Sequence, residues 1–112
     1  MHSLRWLLAA VIVLAAGSGA YGQQPLQLLY LTSPGVYHDY RYQAEAIPRA
    51  LARHRDVTVD VSLHELERWR STDFAAGYDA IVYNICIAAN ADAGLIANLR
   101  RQSEVLGVPA LV

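Results

Sequence analysis

The sequence predicts an α/β fold, a parallel sheet with helices on both faces. Three observations carry this. Leu26–Thr32 and Tyr78–Ile87 are near-continuous apolar runs of the kind found in strands covered on both sides. Apolar residues at helical spacing follow each of them. A short alternating run, Asp56–Ser62, lies between. The resulting β-α-β-x-β-α-β order closes into a sheet through right-handed crossovers.

The N-terminus is set aside from the fold. Arg5, the eleven apolar residues Trp6 to Ala16 and the small-residue stretch GSGAYG read as a secretory signal peptide over residues 1–22. The apolar core is well short of the roughly 20 residues a membrane span requires, and Ala20 and Gly22 suit cleavage after Gly22. The expected product is periplasmic or secreted, with no stable membrane span once the signal is cleaved; an uncleaved anchor is the alternative. Residues 23–112 form the domain, short for burying a self-sufficient core.

The first strand is Leu26–Thr32. After the loop Ser33–Tyr37, residues Tyr40, Ala44, Ile47 and Leu51 fall on one helical face, with Asp39 placed to cap the first turn. Pro48 removes a backbone hydrogen bond, so this helix is expected to kink there or to start later than Asp39 implies. Val57, Val59 and Val61 alternate with polar residues, the pattern of an edge or near-edge strand exposed on one face. Leu66 and Trp69, flanked by charges, predict a short helix. The third strand begins after Gly77, and Asn90 is expected to cap the next helix with Asp92 in its first turn. Leu95, Ile96, Leu99 and Leu106 form its apolar stripe; Gly107 and Pro109 end it. The final run, VPALV, reads as the start of a fourth strand, so the sequence predicts the first half of such a domain, truncated at its C-terminus.

Composition excludes several functions. All nine basic residues are Arg, and losing Arg5 leaves eight against ten acids, so no basic field exists to draw nucleic acid. The pairs Arg68/Arg70 and Arg100/Arg101 read as solvated helix faces. The loop TSPGVYHD holds one glycine where a dinucleotide fingerprint needs three, and no phosphate-binding G-x-x-x-x-G-K-[ST] occurs. Neither a cofactor nor a metal is expected, since Cys and His show no zinc spacing. With Cys86 alone, no intramolecular disulfide exists.

The candidate chemistry sits at strand ends, where open α/β sheets bind ligands. His38 beside Asp39 has the makings of a general base with a carboxylate neighbour; the simpler reading is a helix cap and a solvated imidazole. Cys86 ends the third strand on the same edge, as a nucleophile would, but lacks the flanking glycines of a sharp elbow and is otherwise a small buried hydrophobe. Asn84 is a polar residue at the end of an apolar strand, suited to facing a ligand or fixing a loop.

LLYLTSPGVYHDY, then YDAIVYNIC, then a helix leading into GVPALV, together resemble the trehalose-utilisation (ThuA-like) family over essentially all of Leu26 to Val112. Gly35, His38 and Asp39 match that family's G-x-x-H-[DP]-like loop, and Asn84 with Cys86 resembles its segment after the third strand. The resemblance implies a flavodoxin-like sheet related to the class I glutamine amidotransferase fold, and a link to carbohydrate metabolism. Members continue past the fourth strand into a histidine-bearing loop of the kind L-H-x-A-x-H, and this chain stops before it. Two functions are therefore expected as alternatives. One is an exported ThuA-like protein that binds or processes a carbohydrate or related small polar molecule through Gly35, His38, Asp39, Asn84 and Cys86. The other is a catalytically inactive fragment or interaction module that self-associates through an exposed sheet edge.

Overall fold

The structure, a computed structural model, describes residues 24–35, 38–53, 56–87 and 92–112. The signal-peptide reading and the Asn90 cap lie outside them. Seven elements follow in order: β1 (Leu26–Thr32), α1 (Tyr40–Ala52), β2 (Val57–Leu63), α2 (Leu66–Arg70), β3 (Ala80–Asn84), α3 (Ala93–Glu104) and β4 (Ala110–Leu111). The strands form one all-parallel sheet in the order β2-β1-β3-β4. This is the order of the first four strands of a flavodoxin-like doubly wound sheet, so the predicted fold class holds.

β1 is central, pairing along its whole length with β2 and from Leu28 to Thr32 with β3. Its register is pinned at the start by Asp79, whose carboxylate accepts the Gln27 N–H at 2.7 Å while the Gln27 carbonyl accepts the Asp79 N–H at 2.8 Å. Because side chains alternate across a strand, Leu29 and Leu31 point to one face and Leu28, Tyr30 and Thr32 to the other. The first face carries the main core, where Leu29, Leu31 and Ile81 meet Trp69 of α2, the turn residue Phe74, and Leu95 and Leu99 of α3. On the second face α1 packs against β1 and β2, bringing the buried ring of Tyr40 with it.

Asp39 caps α1 as predicted, its carboxylate accepting the Tyr42 N–H at 2.9 Å. The later start is overturned: α1 begins at Tyr40 and continues through Pro48 to Ala52. One missing N–H is tolerable in a helix held by its cap and by packing on the sheet. The cap of α3 is Asp92, outside the helix rather than in its first turn, accepting the Leu95 N–H at 2.8 Å. Its stripe is also different from the prediction. Leu95, Leu99 and Gln102 are buried, whereas Ile96 and Leu106 are exposed. Gln102 lies there because its amide ties α3 to the preceding turn, accepting from the Ala75 N–H and donating to the Thr72 carbonyl.

β2 is an edge strand as expected, but its polar face is not simply solvated. Ser62 is fully buried, accepting the Trp69 indole N–H at 2.8 Å and donating to the Glu65 carboxylate. Asp60 holds Arg68 at 2.9 Å and accepts from the Tyr78 hydroxyl. Arg68 and then Tyr78 hold the Asp60 carboxyl below its usual range, while burial and then Asp60 push the Tyr78 phenol up. The Arg68/Arg70 pair is thus more than a solvated face: Arg68 clamps α2 to the edge strand, and Arg70 reaches the Asp92 cap at 2.5 Å, whereas Arg100 lies exposed beside Glu104 on its own helix.

Two outcomes test this packing. Ser62→Ala leaves the buried indole N–H without its acceptor and should cost about 1–3 kcal/mol by urea denaturation. Arg70, then the Leu95 N–H, lowers Asp92 from 3.8 to about 2, so its contribution to stability is present above the higher value and is lost as pH falls through about 2. Asp92→Asn should therefore lower the melting temperature at neutral pH and flatten its decline between pH 3.8 and about 2.

Candidate functional site

β1 sends the chain to β2 on one side, and β3 follows on the other, so the carboxyl ends of β1 and β3 form the sheet's topological switch point. Such a point is the usual ligand position in open α/β sheets. Every candidate residue lies on or beside this edge.

Ser33, the first residue after β1, is fully buried. Its hydroxyl accepts the Cys86 N–H at 2.8 Å and donates to the Cys86 carbonyl at 3.1 Å. One side chain thus replaces the backbone partners that both loops lose where the sheet ladder ends. The Cys86 thiol, by contrast, is exposed, which overturns its reading as a buried hydrophobe.

Thr32, Leu63 and Asn84 share one sheet face at the last register position of their strands. The Asn84 amide nitrogen donates to the Tyr30 hydroxyl at 2.6 Å and to the Gln43 Oε1 at 2.7 Å. Both amide hydrogens are committed, which orients Asn84 with its carbonyl oxygen left as an acceptor. Beside it the Thr32 hydroxyl is fully buried, with no hydrogen-bond partner among the described residues. Buried hydroxyls are nearly always paired, so an orphan at a switch point stands out.

The loop residues have local structural roles. A Cβ on Gly35 would fall on the Tyr40 ring, so glycine is required there by close approach of the chain. The exposed His38 ring lies edge-on to Tyr40 at 5.5 Å between centroids. Asp39 is engaged as the α1 cap. Among the described residues no hydrogen bond joins His38 to Asn84 or Cys86, and no group of three His, Cys, Asp or Glu side chains is placed to hold a metal ion. The arrangement unites Thr32, Asn84, Tyr30 and Gln43; it does not unite His38 with Cys86 as base and nucleophile.

Tyr30, Thr32, Ser33 and Gln43 are residues that sequence reasoning missed. Tyr30 and Thr32 merged into an apolar run, although their alternation with Leu29 and Leu31 was a readable signal. Gln43 lies one helical turn after Asp39, on the turn that meets the sheet. His64 was also missed. It follows β2 in the left-handed region (φ 52°), donates its N–H to the Thr32 carbonyl at 2.8 Å, and buries an Nδ1 that has no partner among the described residues. Its ring lies edge-on to Trp69, on the core side, away from the face that Thr32 and Asn84 share.

Compared with protein-family models, curated proteins and solved structures, the chain matches none. Among the described residues no helix is long and apolar enough to cross a membrane.

Ser33→Ala should cost about 1–3 kcal/mol by denaturation, because it strands the Cys86 N–H. In the native parent protein Cys86 should react with a water-soluble thiol reagent at one equivalent per chain without denaturant.

Proposed function

We propose that the crevice between the ends of β1 and β3 binds a small polyhydroxylated molecule of the carbohydrate class, in an exported protein of the ThuA-like kind. The reading rests first on one observation: the buried Thr32 hydroxyl at the switch point, without a partner among the described residues, beside an Asn84 carbonyl oriented as an acceptor. A sugar hydroxyl both donates and accepts, so it complements a hydroxyl and an amide oxygen placed side by side. The resemblance of the Gly35, His38, Asp39, Asn84 and Cys86 segments to the trehalose-utilisation family supports the same ligand class. Export follows from the signal-peptide pattern of residues 1–22.

The role is binding rather than catalysis. In this reading His38, exposed in the loop after β1, is a candidate to contact a bound ring, and Asp39 orients the loop as the cap of α1. Among the described residues no hydrogen bond joins Cys86 to a base, which supports binding over acyl transfer.

Calorimetric titration with a panel of mono- and disaccharides should show saturable binding by the parent chain. Thr32→Val should weaken it at least tenfold, roughly the loss of one or two hydrogen bonds. The same substitution should leave the free protein as stable as the parent or more so, because it removes a hydroxyl that has no partner. Absence of binding across the panel would overturn the proposal.

A further inference from the structure

The cap of α1 sets where the helix begins, and that sets where Gln43 lands. The Asp39 carboxylate accepts the Tyr42 N–H at 2.9 Å and the Asp39 carbonyl accepts the Gln43 N–H at 3.1 Å, so Gln43 falls one turn into the helix. There its Oε1 accepts from the Asn84 amide nitrogen at 2.7 Å, tying α1 to the end of β3. The hydroxyl of the fully buried Tyr30 accepts the second Asn84 hydrogen at 2.6 Å.

If packing were the only demand, a leucine would fill this helix–sheet contact without polar atoms to desolvate. Glutamine brings two further capacities. Its carbonyl holds Asn84, and its own amide nitrogen carries two hydrogens that no hydrogen bond uses among the described residues. The linked amides therefore offer the Asn84 carbonyl as an acceptor and the Gln43 NH2 as a donor, both on half-buried side chains. A donor and an acceptor on joined groups match two hydroxyls on neighbouring carbons, one accepting and one donating, better than they match an isolated hydroxyl.

Building on the sugar-binding reading of this edge, we infer that Gln43 is the specificity-determining residue of the site and selects a vicinal diol. Gln43 Nε2 donates to one hydroxyl of the diol and Asn84 Oδ1 accepts from its neighbour. The bond to Gln43 Oε1 keeps Asn84 from turning its NH2 toward the ligand. Gln43 is thus a contact for one hydroxyl and a positioning residue for the other. A ligand without adjacent free hydroxyls forgoes one of the two bonds and leaves an amide group of the site unpaired.

Calorimetric titration of the full chain with glucose, galactose and their monodeoxy analogues is the test, with circular dichroism confirming that each variant is folded. The parent should lose roughly tenfold in affinity when either hydroxyl of one adjacent pair is removed. Gln43→Leu should bind the complete sugars roughly tenfold more weakly and no longer distinguish them from the analogue lacking the hydroxyl that Nε2 contacts, the non-additivity of a direct contact. Without sugar, the isotope-labelled parent should show both Asn84 side-chain NH2 hydrogens protected from exchange; Gln43→Leu should free one, whereas Gln43→Glu, which keeps an acceptor, should not. A parent indifferent to single hydroxyls, equal weakening of Gln43→Leu toward every sugar and analogue, or Asn84 hydrogens unchanged in Gln43→Leu would overturn the inference. Binding that Thr32→Val weakens and Gln43→Leu does not would overturn it alone. A parent that binds neither sugar would also overturn it, and silence of the whole carbohydrate panel would overturn the proposed function as well.

Discussion

The constraint on which the rest of the structure depends is the burial of β1 on both faces and between two strands. Leu29, Tyr30, Leu31 and Thr32 are each fully buried, and register with β2 and β3 assigns every one of them a face. A slip of one residue would send Leu29 and Leu31 toward α1 and put Tyr30 and Thr32 into the core with Trp69. The Asp79 clamp at the start of the strand and Ser33 just after its end prevent that slip. The same strand thereby supplies the core on one side and a polar end on the other.

That polar end gives the carboxyl edge its character. Tyr30 and Gln43 fix Asn84, Ser33 fixes the Cys86 backbone, and the Thr32 hydroxyl is left over. The loop residues that first draw the eye owe their identities to nearer demands: Gly35 to the Tyr40 ring, Asp39 to the first turn of α1. A residue with a local structural duty can still border a ligand, and the proposed function gives His38 that second place. In the proposed function recognition falls to the strand ends, which packing holds in place.

Features that depend on neighbours in the chain were legible in the sequence. The span of β1, the Asp39 cap, the edge character of β2 and the punctuation at Gly107 all follow from local pattern, and Gly107 indeed takes positive φ. What was not legible depends on partners distant in sequence. Gln102 looks like a solvent-facing residue until the turn at Thr72–Ala75 folds against it, and Ser62 looks exposed until Trp69 covers it. Ser33 reads as an ordinary loop serine, because its partner is 53 residues away. Asn90 and Asp92 are both good caps by residue type, and the ion pair from Arg70 favours the second.

The central claim is that the ends of β1 and β3 form a ligand crevice rather than a closed structural seam. Amide chemical shifts of the isotope-labelled chain, followed during titration with the carbohydrate panel, test it most directly. Saturable shifts concentrated at Thr32, Ser33, Asn84 and Cys86, and absent from Thr32→Val, are the predicted result. Shifts confined to β4 and α3, or none with any sugar, would contradict it.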